Sequence, residues 1–123
     1  MKDINQILEE MGIETLPRNV RLTKLEATIL FLNQLTIRNI EPDFKLSLAK
    51  LYYDTLHATS DEDMIPLKDA AIVLNTTIEF IFSDSDLASA LTKMVIYDFR
   101  DLDLRSLSKK YQEEIKIITK ERN

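Results

Sequence analysis

Apolar residues recur along most of this chain at helical spacing. The longest apolar run is Pro66 to Phe82. Within it Leu67, Ala70, Ala71, Leu74, Ile78 and Ile81 fall on one face of a helix. Val73 and Phe80 lie off that face, as do Ile72 and Phe82, so this helix is expected to have neighbours on more than one side and to form the centre of the fold. Pro66 suits a first helical turn, where a missing N–H costs little, and Asp69 complements the helix dipole there. Asn75 and Thr77 sit at the edge of the apolar stripe, where Asn75 reads as a boundary residue, the sharper alternative being a buried Asn that fixes helix register.

The same spacing predicts helices on either side. A short one spans 3–11, with Asp3 as cap, Ile4, Ile7, Leu8 and Met11 on one side, and Gly12 just past its end. A connector around Pro17 follows, with a small basic cluster at Arg18, Arg21 and Lys24. A second helix runs from Leu22 or Thr23 to Arg38, with its seam at Leu22, Leu25, Ile29 and Leu32. Ile40-Glu41-Pro42-Asp43 interrupts it, with Asp43 as the expected next cap. A third helix over 43–58 shows two seams, Phe44-Leu48-Leu51 and Leu46-Ala49-Tyr53-Leu56. Ser83 to Asp86 is a stop-and-restart signal, because short Ser and Asp side chains compete for backbone bonds at helix ends. A fifth helix covers about 86–99, with Leu87, Leu91, Met94 and Val95 inward. A last one covers about 103–121, capped by Asp101 or Asp103, with Leu104, Leu107, Tyr111, Ile115 and Ile118 in line. The fold class is therefore all-α: a compact bundle of five to six helices in a single domain, residues 1–123.

One internal echo stands out. Aligning Pro17 with Pro66 matches Leu25 with Leu74, Thr28 with Thr77, Ile29 with Ile78, Phe31 with Phe80 and Leu32 with Ile81. At this spacing of about 49 residues the chain weakly resembles stacked helix pairs of the HEAT kind.

Composition narrows the functional classes. The chain holds one Gly and three Pro, too few turn residues for a β-sandwich or barrel, and no Gly-rich phosphate loop. It has no Cys, which removes disulfides, thiolate metal sites and Cys nucleophiles and fits a reducing cytoplasm. No apolar run approaches a membrane span. The net charge of −5 is unevenly placed. Residues 59–104 carry ten acids against three bases, and residues 105–123 carry six bases against three acids. Such polarity bears on partners and solubility.

Candidate chemistry is sparse. His57 is the only histidine, and with Asp54 it forms an Asp-x-x-His pair on the polar stripe of the third helix. Bundle metal sites need further inward Glu or His ligands, so the pair reads as solvated and no metal or cofactor is expected. The acids at 61–63, 84, 86, 98, 101 and 103 lack the alternation, turn glycine and closing Glu of a calcium loop. Nucleic-acid binding has one candidate, the basic side of the last helix: Arg105, Lys109, Lys110, Lys116 and Lys120. Glu113 and Glu114 dilute its charge, Glu113 at salt-bridge spacing from Lys116. The acids Asp61, Glu62, Asp63, Asp84 and Asp86 form a candidate acidic contact surface, which offers itself to a basic groove in the way nucleic acid does.

These features favour a cytoplasmic protein-binding module without catalytic activity: a regulator, inhibitor or adaptor that masks a surface of another protein. Its apolar helix faces exceed what a chain this short easily buries, pointing to a partner or a homodimer. In size and composition the chain resembles small phage or plasmid inhibitors and immunity proteins. The alternatives are a nucleic-acid-associated protein using the basic C-terminal helix, and an acidic mimic of nucleic acid.

Overall fold

A computed structural model describes residues 20–56 and 63–120, together with Glu9, which is helical and exposed. The other residues of the expected first helix, the Pro17 connector, His57, Asp61 and Glu62 lie outside the described residues. In chain order the elements are β1 (Arg21–Thr23), α1 (Lys24–Ile37), α2 (Pro42–Thr55), β2 (Met64–Pro66), α3 (Leu67–Phe82), α4 (Ser85–Asp101), α5 (Leu104–Lys110) and α6 (Gln112–Lys120). The chain is an all-α bundle, with six helices among the described residues. The two three-residue strands pair antiparallel, Leu22 opposite Ile65. They are too short for an alternating pattern to announce them.

Local chemistry sets the helix ends. Thr23 and Glu26 close a reciprocal capping box at the start of α1: Glu26 N–H donates to Thr23 Oγ1 and Thr23 N–H to Glu26 Oε1. At its end Asn39 takes a left-handed φ of 59°. The N–H groups of Asn39 and Ile40 then return to the carbonyls of Thr36 and Leu35, satisfying two of the last orphan acceptors. The cap of α2 is Glu41, not Asp43 as expected. Pro42 occupies the first turn, and the Glu41 carboxylate accepts from the N–H groups of Asp43 and Phe44. The 83–86 signal behaves as predicted. Ser83 turns left-handed after α3, and Asp84 caps α4 by accepting from Leu87 N–H. The last helix is not continuous. Tyr111, at φ −108° and ψ 18°, separates α5 from α6.

α3 forms as predicted, and Leu74 and Ile78 are fully buried. The centre of the bundle, however, is α1 rather than α3. Every residue from Ala27 to Leu35 is buried, and α2, α4 and α5 all pack against this helix. Its polar residues disguise that role in the sequence. Thr28 is wholly buried because its hydroxyl donates to the Lys24 carbonyl one turn back. Thr77 and Thr92 satisfy themselves in the same way on α3 and α4. One contiguous core results, in which Phe31 meets Tyr52 edge to face at 5.4 Å. The first α2 seam is only half covered: Leu48 is buried while Phe44 and Leu51 reach solvent, as does Met94 on α4.

A repeat is present, at a different register from the sequence echo. β1-α1-α2 and β2-α3-α4 are the same strand–helix–helix unit, the second starting about 43 residues after the first. Both strands have one buried central residue, Leu22 and Ile65. The caps Glu41 and Asp84 correspond, as do the buried pairs Ala27 and Ala70, Phe31 and Leu74, Leu35 and Ile78, Leu48 and Leu91. α1 packs on α4 and α2 on α3, so the two pairs close into a bundle. α5 and α6 have no counterpart in the repeat. They lie across α1 and α2 respectively.

Candidate functional site

All five predicted basic residues are exposed, Arg105, Lys109 and Lys110 on α5 and Lys116 and Lys120 on α6. The break at Tyr111 divides them between two short helices. Lys116 pairs with Glu113 at 3.5 Å, the spacing the sequence suggested, and the ammonium of Lys110 lies 5.3 Å from the Tyr111 ring. Exposed pairs of this kind contribute little to stability. Asp103 caps α5: it accepts from Ser106 Oγ and Arg105 N–H, and these bonds lower its carboxyl pKa.

Of the predicted acidic surface, Asp63, Asp84 and Asp86 are among the described residues. Asp63 stands before β2, at the start of α3, while Asp84 and Asp86 follow its end. β2 and the sixteen residues of α3, about 24 Å long, intervene in the chain. Asp84 is occupied as a cap, and Asp86 is exposed in the first turn of α4. Asp54, from the Asp-x-x-His pair, is exposed and accepts from Lys50 Nζ at 3.0 Å. Among the described residues no group of three or more His, Cys, Asp or Glu is placed to hold a metal ion, and no helix is long and apolar enough to cross a membrane.

Sequence reasoning missed a polar cluster that ties the tail to the bundle. Tyr111 Oη donates to Asn33 Oδ1 at 2.8 Å in a buried setting. Asn33 Nδ2 donates to Asp98 Oδ2 at 3.3 Å, and Gln34 Nε2 donates to the same oxygen at 2.6 Å. Four side chains from α1, α4 and the α5–α6 junction thus satisfy one another. The only local hint was an Asn-Gln pair inside an apolar helix, and the partners lie far away in sequence. Tyr52 plays a comparable part elsewhere. It is buried, its hydroxyl donates to the Ala70 carbonyl at 2.9 Å, and burial pushes its phenol pKa well up. No fully buried side-chain nitrogen or oxygen among the described residues lacks a partner. These groups are committed to holding helices together.

A shallow groove of about 130 Å³ runs between α2 and α6, lined by Leu46, Ser47, Lys50, Ile117 and Ile118. Its polar groups are turned onto their own helix: Ser47 Oγ donates to the Asp43 carbonyl and Lys50 to Asp54. The more unusual surface is on α3. Phe80 is 80% exposed, the most exposed large apolar residue described. Ile72 and Val73, both about two turns back, are only half-buried. Phe82, at the end of the same helix, meets Phe44 edge to face at 5.9 Å. This face was legible as the second apolar side of the 66–82 run, where the sequence led one to expect a covering neighbour. Comparison with known protein families, with curated proteins and with solved structures found no match.

Proposed function

We propose that the chain is a small cytoplasmic protein-binding module, a regulator, inhibitor or adaptor that works by covering a surface of another protein. The carrying observation is Phe80. A large aromatic side chain stands 80% exposed on a helix whose opposite face is fully packed, in a chain whose core is complete without it. Covering that ring against a partner would contribute about 2 kcal/mol, the scale of an interface anchor. A photo-crosslinking phenylalanine analogue placed at position 80 in the producing cell tests the reading. A single discrete protein adduct is expected, absent when the analogue replaces Gln112, which is exposed on α6. Equal or no adducts from both positions would refute it. Light scattering of the purified chain distinguishes a homodimer from a foreign partner.

A second reading rests on the exposure of all five basic residues of α5 and α6. A salt-sensitive gel shift, lost on joint Lys109→Glu and Lys116→Glu substitution, would support nucleic-acid binding by this arm. A shift unchanged in the double variant would exclude the arm as its cause.

A further inference from the structure

The repeat exposes an asymmetry. In the first unit the outer stripe of α1 is covered: Ile29, Leu30 and Asn33 are almost wholly buried, and Tyr111 bonds to Asn33 from the α5–α6 arm. The corresponding positions in the second unit are Ile72, Val73 and Thr76, of which the first two are half-buried and the third is exposed. Phe80, the counterpart of the exposed Ile37, extends that stripe. α3 packs chiefly on α4 and α2, and no second arm in the described chain corresponds to α5–α6. The same scaffold therefore presents one stripe buried from Ile29 to Asn33, where α5 and Tyr111 lie against it, and left open at Ile37, and an equivalent stripe that is open along its length.

We infer that the open stripe of α3, Ile72, Val73, Thr76 and Phe80, is the docking site for an amphipathic helix of the partner protein, one whose flanks carry Lys or Arg. The occupant's shape follows from what covers α1 at the equivalent stripe, the short helix α5 and the Tyr111 that ends it. Its charge follows from the rim. Lys68 and Asp69 stand one turn before Ile72 and Val73 at the N-terminal end of the stripe, Glu79 adjoins Phe80, and Asp84 and Asp86 stand beyond the end of the helix. Between Lys68 and Lys93 the chain carries no basic residue at all. Lys68 offsets Asp69 at the N-terminal end of the stripe, whereas Glu79 and Asp86, toward its other end, make no ion pair with a described residue. An approaching helix with acidic flanks is repelled by this rim, and one with basic flanks is steered onto it.

The inference rests on the interaction reading of Phe80, and one experiment separates the two. A displayed library of amphipathic helices, with a fixed apolar face and randomised flanks, is selected against the full-length chain. Enriched sequences should be rich in Lys and Arg. Their affinity should fall about tenfold or more in Phe80→Ala, an exposed position where circular dichroism checks the fold, and should fall with salt and in Glu79→Lys/Asp86→Lys. The chain has no cysteine. Thr76→Cys therefore gives a single thiol, which should label freely in the isolated chain and be protected by an enriched peptide. Enriched neutral or anionic helices that still need Phe80 would overturn the charge inference and leave the interaction reading standing. A Thr76→Cys thiol already protected in the isolated chain would show the stripe filled by this chain or a second copy, and overturn the foreign occupant. No enrichment over Phe80→Ala would overturn both.

Discussion

Tyr111 offers the sharpest test of how the tail is held. It is 3% exposed, and its hydroxyl lies 2.8 Å from Asn33 Oδ1, the usual length of a good O–H···O bond. Tyr111→Phe keeps the ring and its packing but strands the Asn33 oxygen in a buried site. Leaving a buried acceptor unpaired costs about 1–3 kcal/mol, so a loss near 2 kcal/mol is expected. For a domain of this size that lowers Tm by about 8 °C. Asn33→Leu alone also strands partners, the Tyr111 hydroxyl and one side of the Asp98 carboxylate. The double variant Asn33→Leu/Tyr111→Phe removes donor and acceptor together, so its loss should fall short of the summed single losses by about 1 kcal/mol. Urea denaturation followed by circular dichroism reads all four proteins. Amide exchange should also quicken across α5 and α6 in Tyr111→Phe before it does in α3. Additive losses, or a Tyr111→Phe protein as stable as the parent, would show that the bond does not hold the arm.

Three further outcomes follow from the caps and the core. Tyr52→Phe should flatten the alkaline limb of the stability curve. Burial raises the phenol pKa in the folded state, so stability is complete below the ordinary tyrosine value of about 10 and is lost as pH rises above it, which Tm measured against pH will show. Asp103 has the opposite sign. Its folded pKa is lowered, so its contribution is present above the ordinary carboxylate value of about 3.9 and fades as pH falls through the lowered one. Asp103→Ala should therefore narrow the stability gap to the parent only in acid. The corresponding caps Glu41 and Asp84 should each lose about 1 kcal/mol on substitution by Ala, and the losses should add because the two serve different helices; strong non-additivity would contradict this placement.

Helices whose ends and faces are set by neighbouring residues were legible in the sequence. The 66–82 run and the Ser83–Asp86 break needed only periodicity and local capping chemistry, and both stand in the structure. The centrality of α1 was hidden because Thr28, Asn33 and Gln34 look like surface residues. Their burial depends on a carbonyl one turn back in the first case, and on Tyr111 and Asp98, remote in sequence, in the others. The repeat was glimpsed but misaligned. Matching Pro17 to Pro66 gave a plausible apolar overlap, whereas the true correspondence runs through the caps Glu41 and Asp84, residues of different length doing one job. The single tail helix was expected from an unbroken apolar line at Leu107, Tyr111 and Ile115. At Tyr111 the helix instead breaks, and the hydroxyl of that residue donates to Asn33, 78 positions away in sequence. On the candidate site, residue identity gave the charges, but not that Asp84 is engaged as the cap of α4.

The small β1–β2 ribbon has a kinetic consequence. Each helical hairpin, α1 with α2 and α3 with α4, is built from contacts between near neighbours in sequence. Joining Thr23 to Met64 instead closes a loop of about 40 residues, an entropic cost near 3 kcal/mol that three pairs of residues repay poorly until the hairpins are in place. The ribbon should therefore form after the rate-limiting step. Truncating its buried Leu22 to Ala is expected to hasten unfolding while leaving the refolding rate almost untouched, and truncating Phe31 to slow refolding. The strands would then act as a clasp that sets how long the assembled molecule lasts, and the hairpins would set how quickly it assembles.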